Sequence, residues 1–371
     1  MSNDSVAKGD LGIIVLKSAK DLGNKINSKI AKVRDESESY LIDGSDVRFS
    51  NGEGKVSLTS SVRGKDIYIL CDIGNYSCTY NLYGIENRMG PDEHFQDIKR
   101  TLSAIAGKAA RTTVIMPILY ASRQHRRKGR ESLDCAMALQ ELEKMGVSDI
   151  ITFDVHDPNI QNAVPLVSFE NIYPTYDIVK TMIENESDWL DDLENTVVIA
   201  PDTGAMDRAI YYAGVLGLNV GMFYKRRDYS KVVNGKNPIV AHEYMGQDIR
   251  GMNVLVVDDM IASGESSLDI AREVKGRGAK KVYIASTFAL FTEGVQKFEE
   301  HFEQGIIDRV YSTNLTYIPE GCRDKEWHCT VDLSGYIAKI VNTLNHDSSI
   351  SGLLDATPGI KKLLQKHKNN K

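Results

Sequence analysis

At 371 residues the chain is too long for one ordinary core and has room for two domains. With 42% hydrophobic and 26% charged residues it has the profile of a soluble globular protein, and a net charge of −6 speaks against a general nucleic-acid binder. No apolar run is long enough to cross a bilayer, "MSNDSVAKGD" has no signal-peptide core, and five cysteines without metal spacing point to reduced thiols in the cytoplasm.

Short β-branched runs alternate with amphipathic stretches along the chain. Strands are predicted at "GIIVL" (12–16) and "DIYIL" (66–70), then a helix over "HFQDIKRTLSAIAGKA" (94–109). A strand at "TTVIM" (112–116), a helix over 131–146 and a strand at "DIITFDV" (149–155) follow. Further on come the strand "TVVIA" (196–200), a helix over 207–217 and the strand "VGMFY" (220–224). The last are "NVLVV" (253–257), a helix over 266–279 and "KVYIAST" (281–287). Gly146, Gly217 and Gly278 stand where C-cap glycines would end the helices. Strands apolar on both faces and joined by helices predict an α/β protein with mostly parallel sheets. The alternation runs twice, which divides the chain near residue 165, and "KKLLQKHKNNK" (361–371) reads as a basic, frayed tail.

The most informative stretch is "NVLVVDDMIASGESSLDIA" (253–271), an apolar strand ending in Asp258 and Asp259. In open α/β sheets ligands sit beyond the carboxyl ends of the strands. Ser263, Gly264 and Ser266 lead into a helix N-terminus, where backbone N–H groups and the helix dipole suit a phosphate. Glu265 does not fit a phosphate site and should point away. The two aspartates could receive ribose hydroxyls or Mg²⁺-bound water, or could simply cap the helix.

This stretch resembles the ribose-phosphate loop of type I phosphoribosyltransferases and of ribose-phosphate diphosphokinases (PRPP synthetases). "YASRQHRRKGR" (120–130) and "DVHDPNIQ" (154–161) resemble the first domain of the synthetases, with Tyr120, Ala121, Arg123, Gln124, Arg126, Asp154, His156 and Gln161 at matching positions. The resemblance implies that Arg123 and Gln124 contact ATP and that His156 positions Mg²⁺ and the phosphates. "RFSNGEGKV" (48–56) matches the family's adenine loop, which implies that Phe49 stacks on adenine while Asn51 and Glu53 bond its edge, often across a subunit interface. An ordinary hairpin turn explains Asn51-Gly52 equally well. "VVIAPDTGAMDRA" (197–209) resembles the family's Ser-Pro-Asp-Ala-Gly-Gly segment, which implies that Asp202 is a second metal or ribose contact. "FYKRRDYSK" (223–231) resembles the catalytic loop, with Lys225 and Arg227 on the β- and γ-phosphates.

The chain departs from the family at several points. Ser122 is an extra residue, and His125 stands where Asp is usual. Ala262 replaces a carboxylate in the loop Ala262-Ser263-Gly264-Glu265-Ser266. Residues 71–93 and 232–248 are longer than the usual segments.

The resemblance implies two similar three-layer, phosphoribosyltransferase-like domains, 1–165 with the ATP loops and 166–345 with the ribose 5-phosphate loop, followed by a C-terminal extension (346–371). It implies an active site in the cleft between them. The implied reaction is transfer of the β,γ-diphosphoryl group of ATP to the 1-hydroxyl of ribose 5-phosphate, giving PRPP and AMP for nucleotide biosynthesis, with Mg²⁺ as cofactor. A cytoplasmic homo-oligomer, dimer or hexamer, goes with it, without nucleic acid or membrane partners. Two other readings are a non-catalytic regulatory homologue, motivated by the insertions and Ala262, and a transferase that consumes PRPP.

Overall fold

Most of the apolar runs become strands of two sheets in the computed structural model, which describes residues 7–186, 189, 191–227 and 239–369. The chain divides into two units. One holds the residues up to Tyr173 with Asn314–Tyr317 and Asp332–Leu354; the other holds Pro174–Thr313, Ile318–Val331 and the residues from Asp355 on.

The first unit contains β1 (Leu11–Val15), β2 (Gly44–Arg48), β3 (Gly54–Leu58), β4 (Asp66–Leu70), β5 (Thr79–Leu82) and β6 (Ile85–Arg88). It continues with β7 (Arg111–Ile115), β8 (Asp149–Phe153) and β9 (Ser168–Ile172), and with helices α1 (Lys20–Arg34), α2 (Pro91–Ile105) and α3 (Asp134–Lys144). Five strands pair in parallel in the order β1-β4-β7-β8-β9. Every residue of β4 is buried, which is why it reads as an unbroken apolar run after its first residue. That first residue is a buried anchor: Arg111 clamps Asp66 through Nε and Nη2 at 2.8 and 2.7 Å, and Asn345 donates to it at 2.9 Å. Two hairpins, β2–β3 and β5–β6, stand apart from the sheet. The stretch 71–93 thus contains a hairpin and the start of α2.

The second unit contains β10 (Thr196–Ala200), β11 (Asn219–Arg227), β12 (Ile239–Met245), β13 (Asn253–Ile261), β14 (Lys281–Ala289), β15 (Arg309–Thr313) and β16 (His328–Val331). Its helices include α4 (Thr175–Asn185), α5 (Met206–Leu216), α6 (Glu265–Gly276) and α7 (Gln296–Glu303). The sheet order is β12-β11-β10-β13-β14-β15-β16, parallel except for β12. Of the stretch 232–248, residues 239–245 form this antiparallel edge strand, and 232–238 lie outside the described residues. Gly146, Gly217 and Gly278 take φ of 87°, 71° and 90° just past their helices, as the sequence predicts.

The C-terminal stretch differs from expectation. Thr357–Asn369 is a helix packed against α4 and α5, not a frayed tail. Ile360 is fully buried, and the ring of Tyr176 lies so close to Gly359 that any side chain there would collide. His367 pairs with Asp191 at 2.6 Å. The three apolar residues Ile360, Leu363 and Leu364 fall at helical spacing, which outweighs the basic composition around them. Among the described residues no helix is long and apolar enough to cross a membrane.

Candidate active site

In the second unit, β10 runs through α5 to β11 on one side, while its other neighbour β13 runs through α6 to β14 in the opposite direction. The carboxyl ends of β10 and β13 therefore flank a topological switch point, where side-chain-lined crevices form in open α/β sheets. Asp202 lies just beyond β10, and Asp258 and Asp259 lie within the end of β13. Asp202 begins a short turn by accepting from the Gly204 N–H at 2.8 Å.

The two adjacent carboxylates perturb each other. Asp259 is buried, 7% exposed, and its N–H donates to Asp258 Oδ1 at 2.9 Å. Burial first, and then the negative charge of Asp259, push the Asp258 carboxyl well above the usual carboxylate range; Asp202 adds to the push. Arg208, in the first turn of α5, works against them with Nη1 3.9 Å from Asp258 Oδ1. Arg208 is a site residue that sequence reasoning missed. A lone arginine inside "MDRAIYYAGVL" carries no motif, and only the fold turns it toward the double acid.

The loop after β13 is held in one shape. Leu290 and Thr292 N–H groups donate to the carbonyls of Ile261 and Ala262 at 2.8 and 2.9 Å. Gly264 takes φ 86° just before α6, and a side chain there would strike the Phe298 ring. Glycine thus meets two demands, the left-handed backbone and the close aromatic neighbour. Ser263 Oγ accepts from the Glu265 N–H at 3.4 Å, while Glu265 and Ser266 face solvent. The N-terminal turn of α6 and its preceding loop form the kind of cradle that takes a phosphate.

In the first unit, the ends of adjacent parallel strands β7 and β8 carry Arg123, Gln124 and His156. Ala121 takes φ 53° and Ser122–Gln124 form a short 3-10 turn, so the extra serine is absorbed in a tight corner. His125 joins the two strand ends: Nδ1 lies 3.0 Å from the Ser122 carbonyl, and Nε2 lies 3.2 Å from Asp157 Oδ2. Its ring centroid is 5.5 Å from that of His156. Buried Asp154 adopts φ 42°, a left-handed conformation unusual outside glycine. That corner ends β8 and leads to His156, which is exposed along with Arg123 and Gln124.

Phe49, Asn51 and Glu53 sit on the tip of the β2–β3 hairpin. The Phe49 N–H donates to the Glu53 carbonyl at 2.8 Å, the Gly52 N–H to the Phe49 carbonyl at 2.9 Å, and Gly52 has φ 90°. Asn51 Nδ2 donates to Glu53 Oε2 at 3.0 Å, and the Phe49 ring is 51% exposed. An ordinary hairpin turn and a purine-binding face are therefore compatible in one structure. Lys225 and Arg227 belong to β11 as backbone, next to a register shift against β12 between Arg226 and Arg227. The side chains of Lys225 and Arg227 lie outside the described residues.

Comparison with known proteins bears on the fold and the family. A family model described as the N-terminal domain of ribose phosphate pyrophosphokinase matches residues 11–146, and one described as a phosphoribosyl transferase domain matches 168–301. The ribose-phosphate pyrophosphokinase of Vibrio parahaemolyticus is 26% identical over 338 residues, covering 90% of this chain and 98% of its own. That of Chlorobaculum tepidum is 26% identical over 333 residues, covering 88% and 92%. The crystal structure of phosphoribosylpyrophosphate synthetase from Mycobacterium smegmatis shares the fold with a TM-score of 0.75 at 21% identity, over 91% of this chain and all of that one. With two α/β domains of phosphoribosyltransferase kind in tandem, the chain belongs to the ribose-phosphate pyrophosphokinase family.

Proposed function

We propose that the chain transfers the β,γ-diphosphoryl group of ATP to the 1-hydroxyl of ribose 5-phosphate, releasing AMP and PRPP. The observation that carries this reading is the topological switch point, where a paired carboxylate at the end of β13 precedes a glycine-containing loop and the N-terminus of α6. In it the Ala262–Ser266 loop takes the 5-phosphate, and Asp258 and Asp259 take ribose hydroxyls. Arg123, Gln124 and the Phe49, Asn51 and Glu53 turn take ATP. Lys225 and Arg227 neutralise charge on the transferring group, so the protein's contribution is positioning and electrostatics rather than a covalent intermediate.

Mg²⁺ fits the donor set. Asp202, Asp258 and Asp259 crowd negative charge against one guanidinium, Arg208, which favours a divalent cation. Among the described residues no three His, Cys, Asp or Glu side chains form a ready metal site. His156 is proposed as a contact for one Mg²⁺ and Asp202 as a contact for a second ion or for the ribose, and the chemistry the ion would supply is neutralisation of polyphosphate charge. We place the enzyme in the cytoplasm, in keeping with five free cysteines, as a homo-oligomer, dimer or hexamer.

The test is product analysis with ATP, Mg²⁺ and ribose 5-phosphate. AMP and PRPP in equal amounts, formed only when ribose 5-phosphate is present, are expected. Binding of both substrates without AMP would favour the regulatory homologue.

A further inference from the structure

The stretch 71–93 contains the hairpin β5–β6, which packs on the turn that carries Phe49. The Tyr83 N–H donates to the Ser50 carbonyl at 2.9 Å, joining the two hairpin tips directly. Leu82 Cδ1 comes so near Gly52 that an added Cβ would stand 2.9 Å from it. At the other end Lys17 ties both hairpins: its Nζ donates to the Thr79 carbonyl at 3.0 Å and its N–H to Asp46 Oδ2 at 3.2 Å.

Between these two ties lies a cleft of about 340 Å³ lined by Lys17, Asp46, Arg48, Ser50, Tyr80 and Asn81. Arg48, the residue before Phe49, crosses its floor. The Arg48 guanidinium lies 5.8 Å from the Tyr80 ring centroid and donates to Asp97 Oδ2 on α2 at 2.7 Å. Both side chains of that ion pair are nearly buried, at 10% and 7% exposed. The Arg48 and Arg100 guanidinium groups crowd Gly54, so a side chain there would displace them. The backbone entering the turn is thus fixed from below by α2 and from the side by the β5–β6 hairpin.

Phe49 itself remains half exposed, and its own turn bonds would not fix its direction relative to α2. We propose that the hairpin Thr79–Arg88 is a brace that positions the nucleotide-binding turn, with Tyr80 and Arg48 as positioning residues that set the affinity and base selectivity for ATP. This rests on the reading that Phe49, Asn51 and Glu53 hold the purine. A loose turn would weaken binding of the base without touching the groups that neutralise the phosphates. The signature is therefore a change in KM for ATP, not in kcat.

The Met89 N–H and Cys78 carbonyl are bonded at 2.8 Å, so the hairpin's two ends are adjacent and it can be replaced by a Gly-Gly link in the full chain. In the shortened chain KM for ATP should rise about tenfold, and the preference for ATP over GTP in kcat/KM should shrink. The KM for ribose 5-phosphate and kcat at saturating ATP should stay within about twofold. Tyr80→Leu should give a smaller rise in KM for ATP at the parental Tm, and Tyr80→Phe should restore the parental value. Phe49→Ala serves as the control for the underlying reading. If Phe49→Ala raises KM for ATP but the shortened chain and Tyr80→Leu do not, the brace is overturned and the purine turn stands. If Phe49→Ala leaves KM for ATP unchanged, the purine reading falls and the brace with it. Should the shortened chain lose Tm, kcat and both KM values together, Tyr80→Leu decides: a selective rise in KM for ATP supports the brace, and a parental KM overturns it.

Discussion

Asp258 and Asp259 sit together at a cost that a binding site explains and a helix cap does not. The pair lies within β13, short of the α6 N-cap Gly264, and burial first, then the charge of Asp259, raise the pKa of Asp258. Replacing Asp259 by Ala should therefore leave Tm at or above the parental value, because the like-charge strain is relieved. Ribose 5-phosphate binding in calorimetry should weaken by about tenfold or more. Unchanged binding would overturn the ribose role proposed for the pair. Gly264→Ala acts on the same loop by sterics: the left-handed backbone and the Phe298 contact together should cost about 1–3 kcal/mol of stability. The loop would also be displaced from its phosphate position, so KM for ribose 5-phosphate should rise. A parental KM would show that Ala262–Ser266 do not grip the phosphate. These residues were legible in the sequence because small residues and a double acid follow an apolar run. Arg208 and His125 were not understood from sequence, since the role of each depends on a partner brought by another loop.

Among the elements, two buried carboxylates hold segments that lie far apart in sequence. Asp66 opens β4 and receives Arg111 on β7 and Asn345 from the helix Ser334–Asn345. Asp66→Asn should cost about 3 kcal/mol in urea unfolding, because it strips a nearly buried guanidinium of its main partner. A loss below about 1 kcal/mol would mean that Asp149, 4.0 Å away, takes over the pairing. Asp72 follows β4 and accepts from Gly74 N–H, Thr316 Oγ1 and Tyr317 N–H at 2.9, 3.1 and 2.8 Å. Burial lifts its carboxyl to about 7, although those three donors pull it back. A group whose pKa is raised on folding binds its proton more tightly in the native state. Its contribution is fully present below the unfolded value of about 4 and is lost as pH rises through about 7. The stability of the parent relative to Asp72→Asn should accordingly fall between about pH 4 and 7. A difference that stays constant with pH would contradict the shift.

Legibility at this scale followed burial. β4, β10 and β13 are covered on both faces and appear as unbroken apolar runs, so their positions were plain. Helix α1 was missed because its core face is only Leu22, Ile26 and Ile30 among polar neighbours. β9, "SFENI", is an edge strand with one fully buried residue, Ile172, and gives no periodic signal. The β5–β6 hairpin offers only Tyr83-Gly84 as a turn cue, at φ 50° and 80°, and its flanking strands are not apolar.

For the whole molecule, the central claim is that two adjacent phosphoryl groups leave ATP as a unit and come to rest on the sugar. Fold and family narrow the chemistry to ribose phosphates; Ser122 is taken up in a 3-10 turn, His125 pairs with Asp157, and the double acid and the loop before α6 are in place beside Ala262. The most direct measurement follows the fate of each phosphorus by supplying ATP labelled at the α or the β position together with ribose 5-phosphate and Mg²⁺. The account predicts that α-label appears only in AMP and that β-label appears only in PRPP, in equal yield. β-Label recovered in ADP, or retained in ATP while both substrates bind, would contradict it.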